Sequence, residues 1–189
     1  MTLVQLTSPS VEPVALSDFK AHARIDNDEE DALIAAMLLA ARAHIETLSG
    51  KVFVTQTWRI IADEVPPDGR ISLLLRPIQS IDAITVYDSS GSPTSLEPED
   101  WLGDLGGRWP RLMLRRPAAT RMRAMNGIEI DVTAGYGPSG FDVPAVLRHA
   151  VVMLASHWYA HRATGFDFTA AGEPDGLFDL IEPYREISL

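Results

Sequence analysis

Thr133-Ala134-Gly135-Tyr136-Gly137-Pro138-Ser139-Gly140-Phe141-Asp142-Val143-Pro144 separates a β-prone run, Ile128 to Ala134, from an apolar helix. Pro144 suits a helix start, and the helix extends to Arg162. Leu147, Val151, Leu154 and Trp158 form its core stripe, while Val152, Met153 and Ala155 add apolar surface on other faces. A helix of that composition is expected to be buried from more than one side. The glycines match G-x-G-x-x-G after a strand and before a helix. A dinucleotide site needs the helix to begin inside the motif, so that free N–H groups meet the pyrophosphate. Here Pro138 removes one donor and Pro144 delays the helix. The acidic residue expected at a second strand end about 20 residues on is absent. A structural turn is the better reading.

Upstream lies the strongest helix. Asp26-Asn27-Asp28-Glu29-Glu30-Asp31 is expected to open it, since carboxylates suit the positive end of the helix dipole. Ile34, Met37, Ala41, Ile45 and Leu48 continue it as one apolar stripe, and Gly50 is a natural C-cap. A shorter helix is expected from an N-cap at Ser17, running through Phe19 and Ala23. Met1 to Val14, with Pro9 and Pro13, reads as an extended arm.

Between the helical ends the period shortens. Thr57–Ala62, Ile71–Leu75 and Ile81–Tyr87 are β-prone runs bounded by Pro66-Pro67-Asp68-Gly69 and Ser89-Ser90-Gly91-Ser92. Asp100–Leu105 and Arg111–Leu114 are further candidates, and short loops favour an antiparallel sheet. Thr164 to Gly176 reads as a mobile loop, and Leu177 to Tyr184 as a last helical turn or two. The fold class is α+β: a helical bundle of N- and C-terminal helices with an inserted, mostly antiparallel β subdomain. The expected divisions are an arm over 1–14, helices over 15–51, the β insertion over 52–136, a core helix over 137–163 and a tail over 164–189.

The 189 residues suffice for one core, with 46% hydrophobic and 22% charged residues, as in ordinary globular proteins. No run of about 18 apolar residues stands out, which argues against a membrane span. Met1 to Val14 lacks the basic start and apolar region of a secretion signal, so synthesis in the cell interior is the expectation. Cysteine is absent, which removes disulfides, thiolate metal sites and cysteine nucleophiles. A net charge of −10 disfavours tight sequence-independent binding of nucleic acid. An acidic subunit can still line a passage through which DNA slides.

No catalytic constellation is marked. His157 and His161 share a helix face, but the glutamate base of a zinc protease is missing between them, as is a third ligand; packing or an interface is the better reading. Asp26 to Asp31 lacks the glycine and the distal glutamate of a calcium loop, and its acidity opposes a DNA-reading helix. Asp63 and Glu64 point to opposite faces of a strand. Ser139 and Ser156 have no triad context. Arg108, Arg111, Arg115, Arg116, Arg121 and Arg123 do break the charge balance, together with Trp109 and three methionines. They form either a solvated loop paired with the chain's own carboxylates or a docking surface, with an acidic partner protein ahead of DNA.

A resemblance adds to these readings. Pro13-Val14-Ala15-Leu16-Ser17-Asp18-Phe19-Lys20-Ala21-His22-Ala23-Arg24-Ile25-Asp26 resembles the start of the head–tail connector, or adaptor, proteins of long-tailed bacteriophages and phage-like gene transfer agents. The likeness continues in order through Asp31-Ala32-Leu33-Ile34-Ala35-Ala36, Ile45-Glu46, Thr55-Gln56-Thr57-Trp58-Arg59 and Arg76-Pro77-Ile78-Gln79-Ser80-Ile81. It resumes at Val86-Tyr87-Asp88, Thr133 to Gly137, Val143-Pro144 and Ala155-Ser156-His157-Trp158-Tyr159. Ala160 stands where an acidic residue is common in the family, and the arginine-rich stretch is particular to this chain.

The resemblance implies a non-catalytic subunit of a ring, typically of twelve copies, in the neck of a particle assembled in the bacterial cytoplasm. A portal protein would lie on one side and a stopper or tail-completion protein on the other. DNA would pass through the channel without specific binding. No cofactor, metal or membrane is implied. The tail is expected to dock on partners, and Trp158, Leu177, Phe178, Ile181, Tyr184 and Ile187 join the arginines as expected interface residues. The competing readings are a DNA-packaging accessory gripping DNA through the arginines, and a small nucleotide- or metal-dependent enzyme.

Overall fold

In a computed structural model, which describes residues 1–107, 109–115, 122–161 and 172–185, the chain forms two compact units. One comprises Met1–Pro9 and Thr55–Tyr136; the other comprises Ser10–Val54 and Gly137–Leu189. Among the described residues all β-strands fall in the first and all α-helices in the second, so the fold is α+β.

The helical unit contains α1 (Leu16–Ala23), α2 (Asp31–Ser49), α3 (Ala145–His161) and α4 (Leu177–Ile181). The cap of α1 lies two residues before the expected Ser17. Ala15 is the N-cap, and its carbonyl accepts from the N–H groups of Asp18 and Phe19, each at 3.1 Å. Ser17 lies within the first turn, and no side chain caps the helix. Phe19 is fully buried and meets the Tyr159 ring edge-on at 6.1 Å.

α2 begins at the end of the acidic run rather than inside it. Asn27 Oδ1 accepts from the Glu29 N–H at 3.2 Å, a local turn that competes with helix there. Lys20 bridges Asp28 at 2.5 Å and Asp31 at 2.7 Å, holding the end of α1 to the start of α2. Those two bonds raise the Lys20 pKa, and the Lys20 bond lowers that of Asp28. Along α2, Ile34, Met37, Ala41 and Ile45 are fully buried as their spacing predicts. Leu38 is buried too, whereas Leu48 is only half-buried. Gly50 closes the helix in the left-handed conformation that favours glycine, at φ +67°. By length and hydropathy alone α2 is apolar enough to cross a membrane. Its buried stripe against α3 gives it the place of a core helix.

α3 buries Leu147, Val151, Leu154 and Trp158, together with Ala150 and Ala155. A charged cluster lies beside this core. Arg42, 7% exposed, donates through Nε to Glu12 at 2.8 Å and through Nη1 to Glu46 at 2.7 Å. Glu46 also accepts from the Phe53 N–H at 2.7 Å. Burial raises the Glu46 pKa, opposed by that N–H and by Arg42. Burial works against the Arg42 charge, but the bonds to Glu12 and Glu46 outweigh it and raise its pKa. The Arg42 guanidinium thus ties the segment before α1 to α2, and Glu46 ties α2 to the chain leaving it.

The β unit holds β1 (Thr2–Thr7), β2 (Gln56–Ala62), β3 (Arg70–Ser72), β4 (Ile78–Tyr87), β5 (Pro93–Ser95), β6 (Trp101–Asp104), β7 (Arg111–Leu114) and β8 (Ile128–Ala134). Five form a sheet in the order β1-β2-β8-β4-β5, and three form a sheet in the order β3-β7-β6; every ladder is antiparallel. β8 sits centrally with strict alternation: Ile128, Ile130, Val132 and Ala134 are fully buried. The expected strand over Ile71–Leu75 is shorter, because Leu73 turns its N–H to the Pro110 carbonyl at 2.8 Å. Asp100 belongs to a 3₁₀ turn, Pro98–Asp100, and not to β6. The N-terminal stretch is extended, but as edge strand β1 paired with β2.

Removing Arg42 strands two part-buried carboxylates. Arg42→Met is expected to lower unfolding free energy by on the order of 3 kcal/mol in urea denaturation. Arg111→Met, whose partner Asp104 is as exposed as itself, is expected to cost under about 1 kcal/mol.

Candidate assembly surfaces

The glycine turn folds onto its own acid. Gly137 has no side chain because a Cβ there would collide with the Asp142 carboxylate. That carboxylate accepts from the Ser139 N–H at 2.8 Å, while Ser139 Oγ accepts from the Phe141 N–H at 3.2 Å. The N–H groups of Asp142 and Val143 go to the carbonyls of Ser139 and Gly140. Gly140 lies against the carbonyls of Glu12 and Pro13, at 2.9 Å from where its Cβ would be. The N–H groups of Ser139, Phe141, Asp142 and Val143 are thus taken within the turn, and the Asp142 carboxylate there disfavours a bound phosphate. This is a brace, helped by a parallel bridge between Val54 and Gly137.

The arginine segment divides. Arg108, Arg116 and Arg121 lie outside the described residues. Arg111 on β7 pairs with Asp104 on β6 at 2.9 Å. Arg123 lies 3.9 Å over the Tyr87 ring, donates to the Asn126 carbonyl at 2.6 Å and faces Glu129 at 3.9 Å. Arg115 is exposed, and its N–H donates to the Asp100 carbonyl at 2.8 Å. Trp109 is 46% exposed, with the Arg76 guanidinium 4.2 Å over its ring. Arg111 and Arg123 are therefore engaged with the chain's own acids, which weakens a grip on DNA phosphates at these positions.

A polar network on the large sheet was not marked by the sequence reading. Arg59 on β2 faces Asp131 on β8 in register and binds it through two bonds, at 2.7 and 2.8 Å. It also meets Glu129 at 3.1 Å, and Glu129 accepts from the Tyr87 hydroxyl at 3.0 Å. The Asp131 bond raises the Arg59 pKa, and the Glu129 bond raises that of Tyr87. Alternation of charge along β2 and β8 was the available signal; which residues face each other depends on register, which alternation does not give.

The His157 and His161 rings lie tilted at 44° with centroids 4.4 Å apart, and His161 Nδ1 lies 2.7 Å from the His157 carbonyl. Among the described residues no group of three possible metal ligands converges. Elsewhere in the helical unit, His44 pairs with Glu173 at 2.9 Å and lies edge-on to Trp158.

The expected interface residues near the C-terminus separate by burial. Trp158, Leu177 and Ile181 are buried inside the helical unit, and Trp158 Nε1 donates to the Gly172 carbonyl at 3.1 Å. Within this chain they hold α3 and α4 together. Phe178 is 43% exposed, and Tyr184 is half-buried in the 3₁₀ turn Glu182–Tyr184. Ile187 lies outside the described residues, as does most of the expected loop over Thr164 to Gly176. Leu3, Val4 and Leu6 are exposed on β1, whose outer edge has no partner strand among the described residues.

Residues 13–95 match the family model described as Phage gp6-like head-tail connector protein. No curated protein matches the chain. Among solved structures, a chain in the neck of an empty GTA particle computed with C6 symmetry is 28% identical with a TM-score of 0.82. One in the virion of a native gene transfer agent particle is 26% identical, also with a TM-score of 0.82. A third, in the neck of a native GTA particle computed with C12 symmetry, is 27% identical with a TM-score of 0.79. Each comparison covers 100% of this chain and 97% of the other. The likeness to head–tail connectors is matched over residues 13–95, and the likeness to chains of gene transfer agent particles runs along the whole chain.

Gly137→Ala drives a methyl into the Asp142 carboxylate and is expected to destabilise the helical unit by about 1–3 kcal/mol, read from thermal or urea unfolding. Pyrophosphate at millimolar concentration is expected to leave the melting temperature of the unaltered protein unchanged. An upward shift would restore the phosphate-site reading.

Proposed function

As a chain of the head–tail connector kind, we propose, this protein is a structural subunit of the neck of a phage or phage-like particle, built into a ring that joins portal to tail components. The observation that carries the reading is the full-length likeness to GTA neck chains, at up to 28% identity and a TM-score of 0.82. A ring of twelve is the expected form, in keeping with a similar chain in a neck computed with C12 symmetry.

The physical properties of the chain support this reading. A heterologous contact repeated around an axis closes into a ring when its rotation closes. A net charge of −10 suits a channel wall that DNA must pass without sticking. In this reading the β unit is an insertion between the helical ends, and exposed Arg115, Trp109 and Phe178, with Arg108, Arg116, Arg121 and Ile187, belong to surfaces that meet the portal or the stopper. Assembly takes place in the bacterial cytoplasm.

Electron microscopy of the purified protein, alone and mixed with a portal ring, tests the reading. Rings, or decoration of the portal by a ring of this chain, are expected. A chain that stays monomeric in both conditions and is absent from particles overturns it.

A further inference from the structure

The exposed residues of α2 between Ala32 and Ala43 are all alanine or leucine. We propose that this outward face is a subunit–subunit contact, the patch against which a second copy of the chain packs; the inference rests on the ring reading above.

Ala32, Ala36, Leu39 and Ala43 recur at spacings of four, three and four, a stripe distinct from the buried one at Ile34, Met37, Ala41 and Ile45. Leu39 is 53% exposed and Leu33 36%. The charged residues of α2 are all drawn into pairs within the helical unit: Asp31 with Lys20, Arg42 with Glu12 and Glu46. A soluble helix with one buried stripe normally carries charge on the other side. Here the other side carries none, over a helix about 28 Å long at 1.5 Å per residue.

Charge selects the occupant. Copies of a chain with net charge −10 repel wherever their acids meet, so a neutral face is where two copies approach at least cost. Alanine lets a neighbouring backbone come close, and the two leucines supply apolar area. Lipid fits less well: helices that lie on membranes carry Lys and Arg beside their apolar face. α2 exposes neither, and it is preceded by exposed Asp26, Asp28 and Glu29. Similar chains occur in necks computed with C6 and C12 symmetry, and a cyclic ring repeats its subunit contacts around the axis. A standard interface covers about 800 Å² per partner. The α2 face would be its apolar centre, surrounded by a polar rim.

Two measurements test this on the full chain. Leu39→Glu is expected to abolish rings in electron microscopy and light scattering while leaving the melting temperature unchanged; Leu102→Glu, at an exposed position of β6, is expected to leave rings intact. Because the chain has no cysteine, Ala36→Cys gives a unique thiol. Its maleimide labelling is expected to slow at least tenfold in rings relative to monomer. Rings that form equally well with Leu39→Glu, or labelling equally fast in both states, overturn the α2 contact and leave the ring reading standing. Flotation with lipid vesicles that Leu39→Glu abolishes, with rings intact, also overturns it. A wild-type chain that never forms rings removes both.

Discussion

The helical unit depends on one packing event between parts of the chain that lie far apart in sequence. α2 belongs to the first third and α3 to the last, and each buries its stripe mainly against the other, with α1 and α4 packed beside them. Ile34, Met37, Ala41 and Ile45 on one side and Leu147, Val151, Leu154 and Trp158 on the other leave water together. The closure entropy of a loop grows only slowly with its length, so a whole β unit can stand between the two helices. The polar features of the unit secure this closure. Arg42 gathers Glu12 and Glu46, the Gly137–Asp142 brace fixes the entry to α3, and Trp158 takes the Gly172 carbonyl.

Periodicity made much of this legible in the sequence. The two long helices, the Gly50 cap and the central strand Ile128–Ala134 follow from apolar spacing and from glycine at a left-handed position. Capping was harder to read. Ser17 has the chemistry of an N-cap, but the Ala15 backbone begins the turn; Asp26–Glu30 has the charge of a first turn, but Asn27 diverts it. Tertiary partners were invisible. Nothing local says that Thr2–Thr7 pairs with β2, that Arg59 faces Asp131, or that α2 leaves a second apolar side uncovered.

The candidate surfaces show the same division. The arginine segment stood out as a departure from composition, yet Arg111 and Arg123 spend their charge on the chain's own acids. Trp158, Leu177 and Ile181 had the composition of interface anchors and serve as core. Composition identifies residues capable of strong contacts; only burial tells whether the chain has already used them. The resemblance to connectors carried further than any motif, since collinear order over most of a chain reflects a shared fold even where each segment alone is weak.

The strand order β1-β2-β8-β4-β5 has a consequence for how the protein is made. As the ribosome releases the chain from its N-terminus, the strand at the middle of the large sheet emerges last of the five. Until Ile128–Ala134 appears, β2 and β4 have no shared neighbour, and α2 must then still wait for α3. Both units therefore mature late and nearly together. Apolar segments stay open through most of translation, which makes the nascent chain a natural client for chaperones.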